Sequence, residues 1–88
     1  MSVPKGFLDA FDTLPVGAYG GSYDGRRYRI SKTQFSGGRS QKLEAEELGG
    51  ADYISLNLYR LATGHALLKP CEMSEAKVTA FVLGVAAD

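Results

Sequence analysis

Apolar residues recur at intervals of three and four near both ends of this chain and alternate with polar ones through its middle. Phe7, Leu8, Phe11 and Leu14 fall on one helical face, with Asp9 and Asp12 turned to water. The segment SVPKGFLDAFDTL therefore predicts a short N-terminal helix. Pro4 suits its first turn and Pro15 its stop, whereas Gly6 works against it. Near the other end Val78, Phe81, Val82 and Val85 stand at i, i+3, i+4 and i+7, the stripe of an amphipathic helix. Ser74 is its candidate N-cap, and Met73 with Val78 forms a hydrophobic staple, so the expected helix runs from Ser74 to Val85.

Between these helices the period is two. Asp24-Gly25 is the type I′ hairpin signal, and Arg26 to Phe35 after it reads as a strand. Ala18 to Tyr23 before it reads as either a Gly-rich strand or an arm. SGGRS makes the next turn. Gln41 to Leu48 follows as a strand, although its Glu and Ala content also suits a helix. GGAD turns the chain again, and Tyr53 to Leu61 is the clearest strand, alternating and rich in large residues. After the ATGH turn, Ala66 to Pro70 is a short strand. Short turns imply antiparallel neighbours. The expected fold is thus α+β: an antiparallel four- to five-stranded sheet with one face covered by the C-terminal helix, plus the short N-terminal helix. It forms a single domain over residues 1–88, with the N-terminal helix and Gly-rich segment over 1–25 and a ββββα unit over 26–88.

Alternation assigns the faces. Ile54, Leu56 and Leu58 face the core, and Tyr53, Ser55, Asn57 and Tyr59 face away. A four-residue turn at Gly49 to Asp52 sets Tyr53 opposite Leu48, Glu46 opposite Ser55, Ala45 opposite Leu56 and Leu43 opposite Leu58. Leu43 and Ala45 then join the core side, at the cost of placing Glu47 beside Ile54. Tyr28 and Ile30 take the core side of the first firm strand, and Arg27, Arg29, Ser31 and Thr33 the open side.

Charge sharpens this picture. The chain holds ten Lys and Arg against ten Asp and Glu, yet RRYRISKTQFSGGRSQK, residues 26–42, carries six cations and no acid. The open face gathers Arg27, Arg29, Lys42, Tyr53, Asn57 and Tyr59, with Lys32 and Arg39 near the Gly-rich turn. Cations that neutralise phosphates beside rings that stack on bases are the chemistry of a single-stranded nucleic-acid surface. Glu44 and Glu46 share the face and oppose that reading, and a cross-strand pair of Arg29 with Glu46 is a purely structural use of the same charge.

Little else suggests chemistry. His65 lies in the ATGH turn and reads as a turn residue. Cys71 precedes a helix cap, where a thiol pKa can fall, but no third group orients a Cys–His pair. One Cys and one His do not make a zinc site, and neither GGSYDG nor SGGRS has phosphate-loop spacing. The expectation is a non-enzyme without metal or cofactor. A hydrophobic share of 44% fits a globular domain. No apolar run approaches the roughly 20 residues that span a bilayer. The N-terminus lacks a basic and then apolar leader, and the lone Cys71 fits a cytoplasmic setting.

RRYRISKTQFSGGRSQKLEAEELGGADYISLNLY and the closing LLKPCEMSEAKVTAFVLGV together resemble the repeat of Pur-alpha, and more loosely the Whirly group. The resemblance covers about residues 26–85 and rests on element order and charge placement. It implies a sheet that binds single-stranded DNA or RNA, units that pair as homodimers, and a surface formed by Arg27, Arg29, Lys32, Arg39, Lys42, Tyr53, Asn57 and Tyr59. The alternative expectation is a protein-interaction or dimerisation domain that docks a partner on an exposed strand edge or on its Tyr-rich face.

Overall fold

The computed structural model describes residues 3–88. Its elements are α1 (Phe7–Thr13), β1 (Gly17–Tyr23), β2 (Arg26–Phe35), a single 3-10 turn (Ser36–Gly38), β3 (Ser40–Glu47), β4 (Tyr53–Arg60), β5 (Ala66–Pro70), α2 (Glu75–Gly84) and β6 (Ala86–Ala87). One antiparallel sheet has the order β5-β4-β3-β2-β1-β6. The α+β class holds, with six strands among the described residues rather than four or five. The Gly-rich stretch is a full strand, and two alanines after α2 add a sixth.

The β1–β2 hairpin follows from Asp24-Gly25, whose φ angles of 53° and 73° are the two positive values a type I′ turn requires. Two glycines explain why so small a stretch as β1 is a strand. A Cβ at Gly21 would lie 2.6 Å from Ile30 Cδ1 and 3.0 Å from the Ala86 carbonyl, so only glycine lets β6 approach while Ile30 fills the core beneath. At Gly20, on the opposite face, a Cβ would meet Asp88 Oδ2 at 2.8 Å and Arg27 Nη2 at 2.9 Å.

The core lies between the sheet and the two helices. Tyr28, Ile30, Leu43, Ile54, Leu56 and Leu58 meet Phe7 and Phe11 of α1 and Val78, Phe81 and Val82 of α2, all buried. The Tyr28 and Phe81 rings meet edge to face at 5.2 Å. Ser74 caps α2 by accepting from the Lys77 N–H at 3.1 Å. The helix stops at Gly84. Val85, expected to be helical, is extended (φ −71°, ψ 140°) and leads into β6.

The β3–β4 register differs from the expected one by two residues. Tyr53 pairs with Glu46, Ile54 with Ala45, Leu56 with Leu43 and Asn57 with Lys42. The ladder closes one step later in the turn, where the Glu47 N–H donates to the Asp52 carbonyl at 2.8 Å and Leu48 is left exposed in the loop. Asp52 drives this closure. Its Oδ2 accepts from the Tyr28 hydroxyl at 2.7 Å, and its Oδ1 meets Lys77 Nζ at 2.7 Å. A shift of two keeps every side chain on its face, so the core assignment survives, and Glu47 never meets Ile54.

Lys32 does not lie on the open surface. It is 3% exposed on the core side, beneath α1. Its Nζ donates to the Phe11 carbonyl at 2.7 Å and the Leu14 carbonyl at 2.9 Å, and stands 4.2 Å from the centre of the Phe11 ring. A cation at the C-terminal end of a helix satisfies carbonyls that the helix cannot. Burial lowers its pKa, and Asp12 offsets part of that.

Candidate binding face

The face away from the helices is uncovered by any described residue, and the registers fix its layout. Four rows cross it. The first reads Gly20, Arg29, Glu46, Tyr53, and the second Ala18, Ser31, Glu44, Ser55. The third reads Thr33, Lys42, Asn57, Lys69, and the fourth Phe35, Ser40, Tyr59, Leu67.

These rows divide the face by charge. The first two border a shallow groove of about 530 Å³, lined by Arg29, Ser31, Glu44, Glu46, Tyr53, Ser55, Cys71 and Glu72 among others. One cation there stands against three carboxylates. Tyr53 turns its ring toward Lys77 Nζ, 5.7 Å from the ring centre. The last two rows hold Lys42 and Lys69, two exposed aromatic rings (Phe35 and Tyr59), and no acid. Arg39 lies at the tip of this end, its Nε donating to the Ser36 carbonyl at 3.3 Å.

Of the eight residues singled out in the sequence, Lys42, Asn57 and Tyr59 therefore sit together, with Arg39 at their margin. Arg29 and Tyr53 belong to the acidic end. Arg29 stands opposite Glu46 in the register, but no Arg29–Glu46 ion pair forms among the described residues. Arg27 is on the open side but is taken: its guanidinium donates to both carboxylate oxygens of Asp88, at 2.9 Å for Nη1 to Oδ1, and to Ser22 Oγ at 2.8 Å. The pairing holds the Asp88 carboxyl below its usual range and raises the guanidinium pKa. Lys42 has only a loose contact with Glu44 at 3.8 Å, both groups being exposed, and such a pair is easily exchanged for another anion.

Phe35 and Lys69 complete the basic–aromatic end. The signal for Phe35 was the same alternation that turned Arg29, Ser31 and Thr33 outward, carried one step further. Lys69 needed the β4–β5 register, which sets it beside Asn57.

Cys71 and His65 do not form a nucleophile–base pair. They flank the two ends of β5, six residues and so about 20 Å apart along a strand. Cys71 Sγ accepts a long contact from Asn57 Nδ2 at 3.4 Å, and His65 Nδ1 contacts Thr63 Oγ1 at 3.1 Å. No group of three His, Cys, Asp or Glu among the described residues is placed to hold a metal ion. No described helix is long and apolar enough to cross a membrane. No family model matches the chain, and neither the curated proteins nor the solved structures contain a match to it.

Proposed function

We propose that this protein is a non-enzymatic binding module that engages single-stranded nucleic acid through the basic–aromatic half of its open sheet face. The observation that carries the reading is the pairing of Thr33, Lys42, Asn57 and Lys69 in one row beside Phe35, Ser40, Tyr59 and Leu67 in the next. Cations and exposed rings then share two rows that hold no acid of their own, with Glu44 of the neighbouring row in loose contact with Lys42. Lys42, Lys69 and Arg39 neutralise backbone phosphates, Phe35 and Tyr59 stack on bases, and Asn57 and Ser40 offer hydrogen bonds. The acidic groove at the far end repels the backbone and limits its path to the one half. The module's setting on this reading is the cytoplasm, in keeping with its single free thiol.

Fluorescence anisotropy with labelled oligonucleotides at low salt tests the reading. Affinity in the micromolar range is expected for a largely electrostatic contact. With three cations engaged, log K should fall against log salt with a slope of about −2, at about −0.7 per phosphate for single strands. F35A and Y59A should each weaken binding about 5- to 150-fold, the equivalent of about 1–3 kcal/mol per stacked base. Absence of binding at low salt would sink the proposal, and so would binding untouched by both substitutions.

A further inference from the structure

The free edge of β5 points to a partner of its own. In the β4–β5 ladder the Cys71 N–H donates to the Ser55 carbonyl at 3.0 Å and the Leu61 N–H to the His65 carbonyl at 2.8 Å. Bonded pairs alternate in an antiparallel ladder. Residues 65, 67, 69 and 71 therefore turn their peptide groups to β4, and Ala66, Leu68 and Pro70 turn theirs outward. β5 is the outermost strand on this side, and no hydrogen bond among the described residues reaches those outward groups. Pro70 fits the same geometry, since the N–H it lacks would have faced away from β4.

We infer that the occupant of this edge is a second copy of the chain, with the two β5 strands antiparallel about a two-fold axis through Leu67. The pattern is self-complementary. Ala66 and Leu68 lie one residue either side of Leu67, so each Ala66 exchanges both backbone bonds with the partner's Leu68. Four hydrogen bonds form and every outward donor is used. A slip to an axis through Leu68 would set Ala66 opposite the partner's Pro70, which supplies no donor, and Leu67 against the partner's Lys69. The axis through Leu67 instead brings two leucine side chains together at a close, non-bonded pair. Beside the edge runs an apolar groove of about 400 Å³, lined by Val3, Leu8, Leu61, Gly64, His65, Ala66 and Leu67. Leu61 is 44% exposed there. The same strip on both copies makes an isologous contact. The opposite edge of the sheet is the two-residue β6, too short to template a third copy, so association closes at two. This inference stands apart from the nucleic-acid reading. Where both hold, the two Tyr59 rings lie three strand spacings apart, about 14 Å, on one continuous face.

Light scattering and NMR hydrogen exchange on the full chain test it together. The wild type should show twice the 9.4 kDa chain mass, with slow amides at Ala66 and Leu68 as well as at Leu67 and Lys69. L67K places two ammonium groups across the axis without touching the outward donors or the core. It should give the single-chain mass and speed exchange about tenfold or more at Ala66 and Leu68, while Leu67 and Lys69 stay slow. Should L67K fail to fold, A66P reads the same contact, because it removes an outward N–H and leaves the bonds to β4. A wild type that is monomeric at all concentrations with fast Ala66 and Leu68 amides would overturn the inference, leaving the edge to a different protein. A dimer that survives these substitutions would overturn it equally.

Discussion

Lys32 and Lys42 lie ten positions apart in one basic stretch, and their fates differ because of the face each occupies. The buried Lys32 closes the end of α1, so K32M should cost about 1–3 kcal/mol by leaving the buried Leu14 carbonyl without a donor, while the Phe11 carbonyl keeps the Leu14 N–H. Urea denaturation measures this. K42A, at a partly exposed surface position, should stay within about 0.5 kcal/mol of wild type and weaken oligonucleotide binding instead. Tyr28 and Asp52 make stability depend on pH in opposite directions. Burial, then the hydrogen bond to Asp52, pushes the Tyr28 hydroxyl up to about 12. The folded state therefore keeps a proton that the unfolded chain gives up near pH 10, and stability present below that pH is lost as pH rises toward 12. Asp52 behaves oppositely. Lys77, then Tyr28, holds its carboxyl below the usual range, so its contribution is full above about pH 4 and disappears as pH falls through the depressed value. Thermal melts across pH should show both limbs, with Y28F flattening the alkaline one and D52N the acid one.

At the scale of elements, faces are more robust than registers. L56A should destabilise by about 2–5 kcal/mol, since Leu56 is fully buried beneath α2. N57A, on the opposite face of the same strand, should change stability by less than about 0.5 kcal/mol. Equal losses would mean the faces are reversed. This much was legible because period-two alternation in β2 and β4 reports the core side whatever the pairing. The two-residue register shift was not legible, because it depends on Asp52 being held by Tyr28 and Lys77, which are distant in sequence. β6 is two alanines, too short for any pattern, and exists because Gly20 and Gly21 leave room for it. Lys32 was legible and misread: it continues the Tyr28, Ile30 parity inward, but its charge suggested the surface. Phe35 was open to the same parity argument in the other direction. α2 supplies Val78, Phe81 and Val82 to the core. A chain ending at Glu72 should show no sharp thermal transition.

For the molecule as a whole, a net charge of zero conceals a sheet face that is acidic at one end and basic at the other. The sequence located the cations, but only the registers separate those with free charge from Arg27, clasped to Asp88, and Arg29, set among carboxylates. The central claim is that the basic–aromatic end is the binding surface, and a two-dimensional NMR titration of the labelled protein with a short single-stranded oligonucleotide tests it most directly. The account predicts saturable shifts confined to Thr33, Phe35, Arg39, Lys42, Asn57, Tyr59 and Lys69, with the groove around Glu44, Glu46 and Glu72 unmoved. Shifts centred on that groove or on the helical side, or no shifts at low salt, would contradict it.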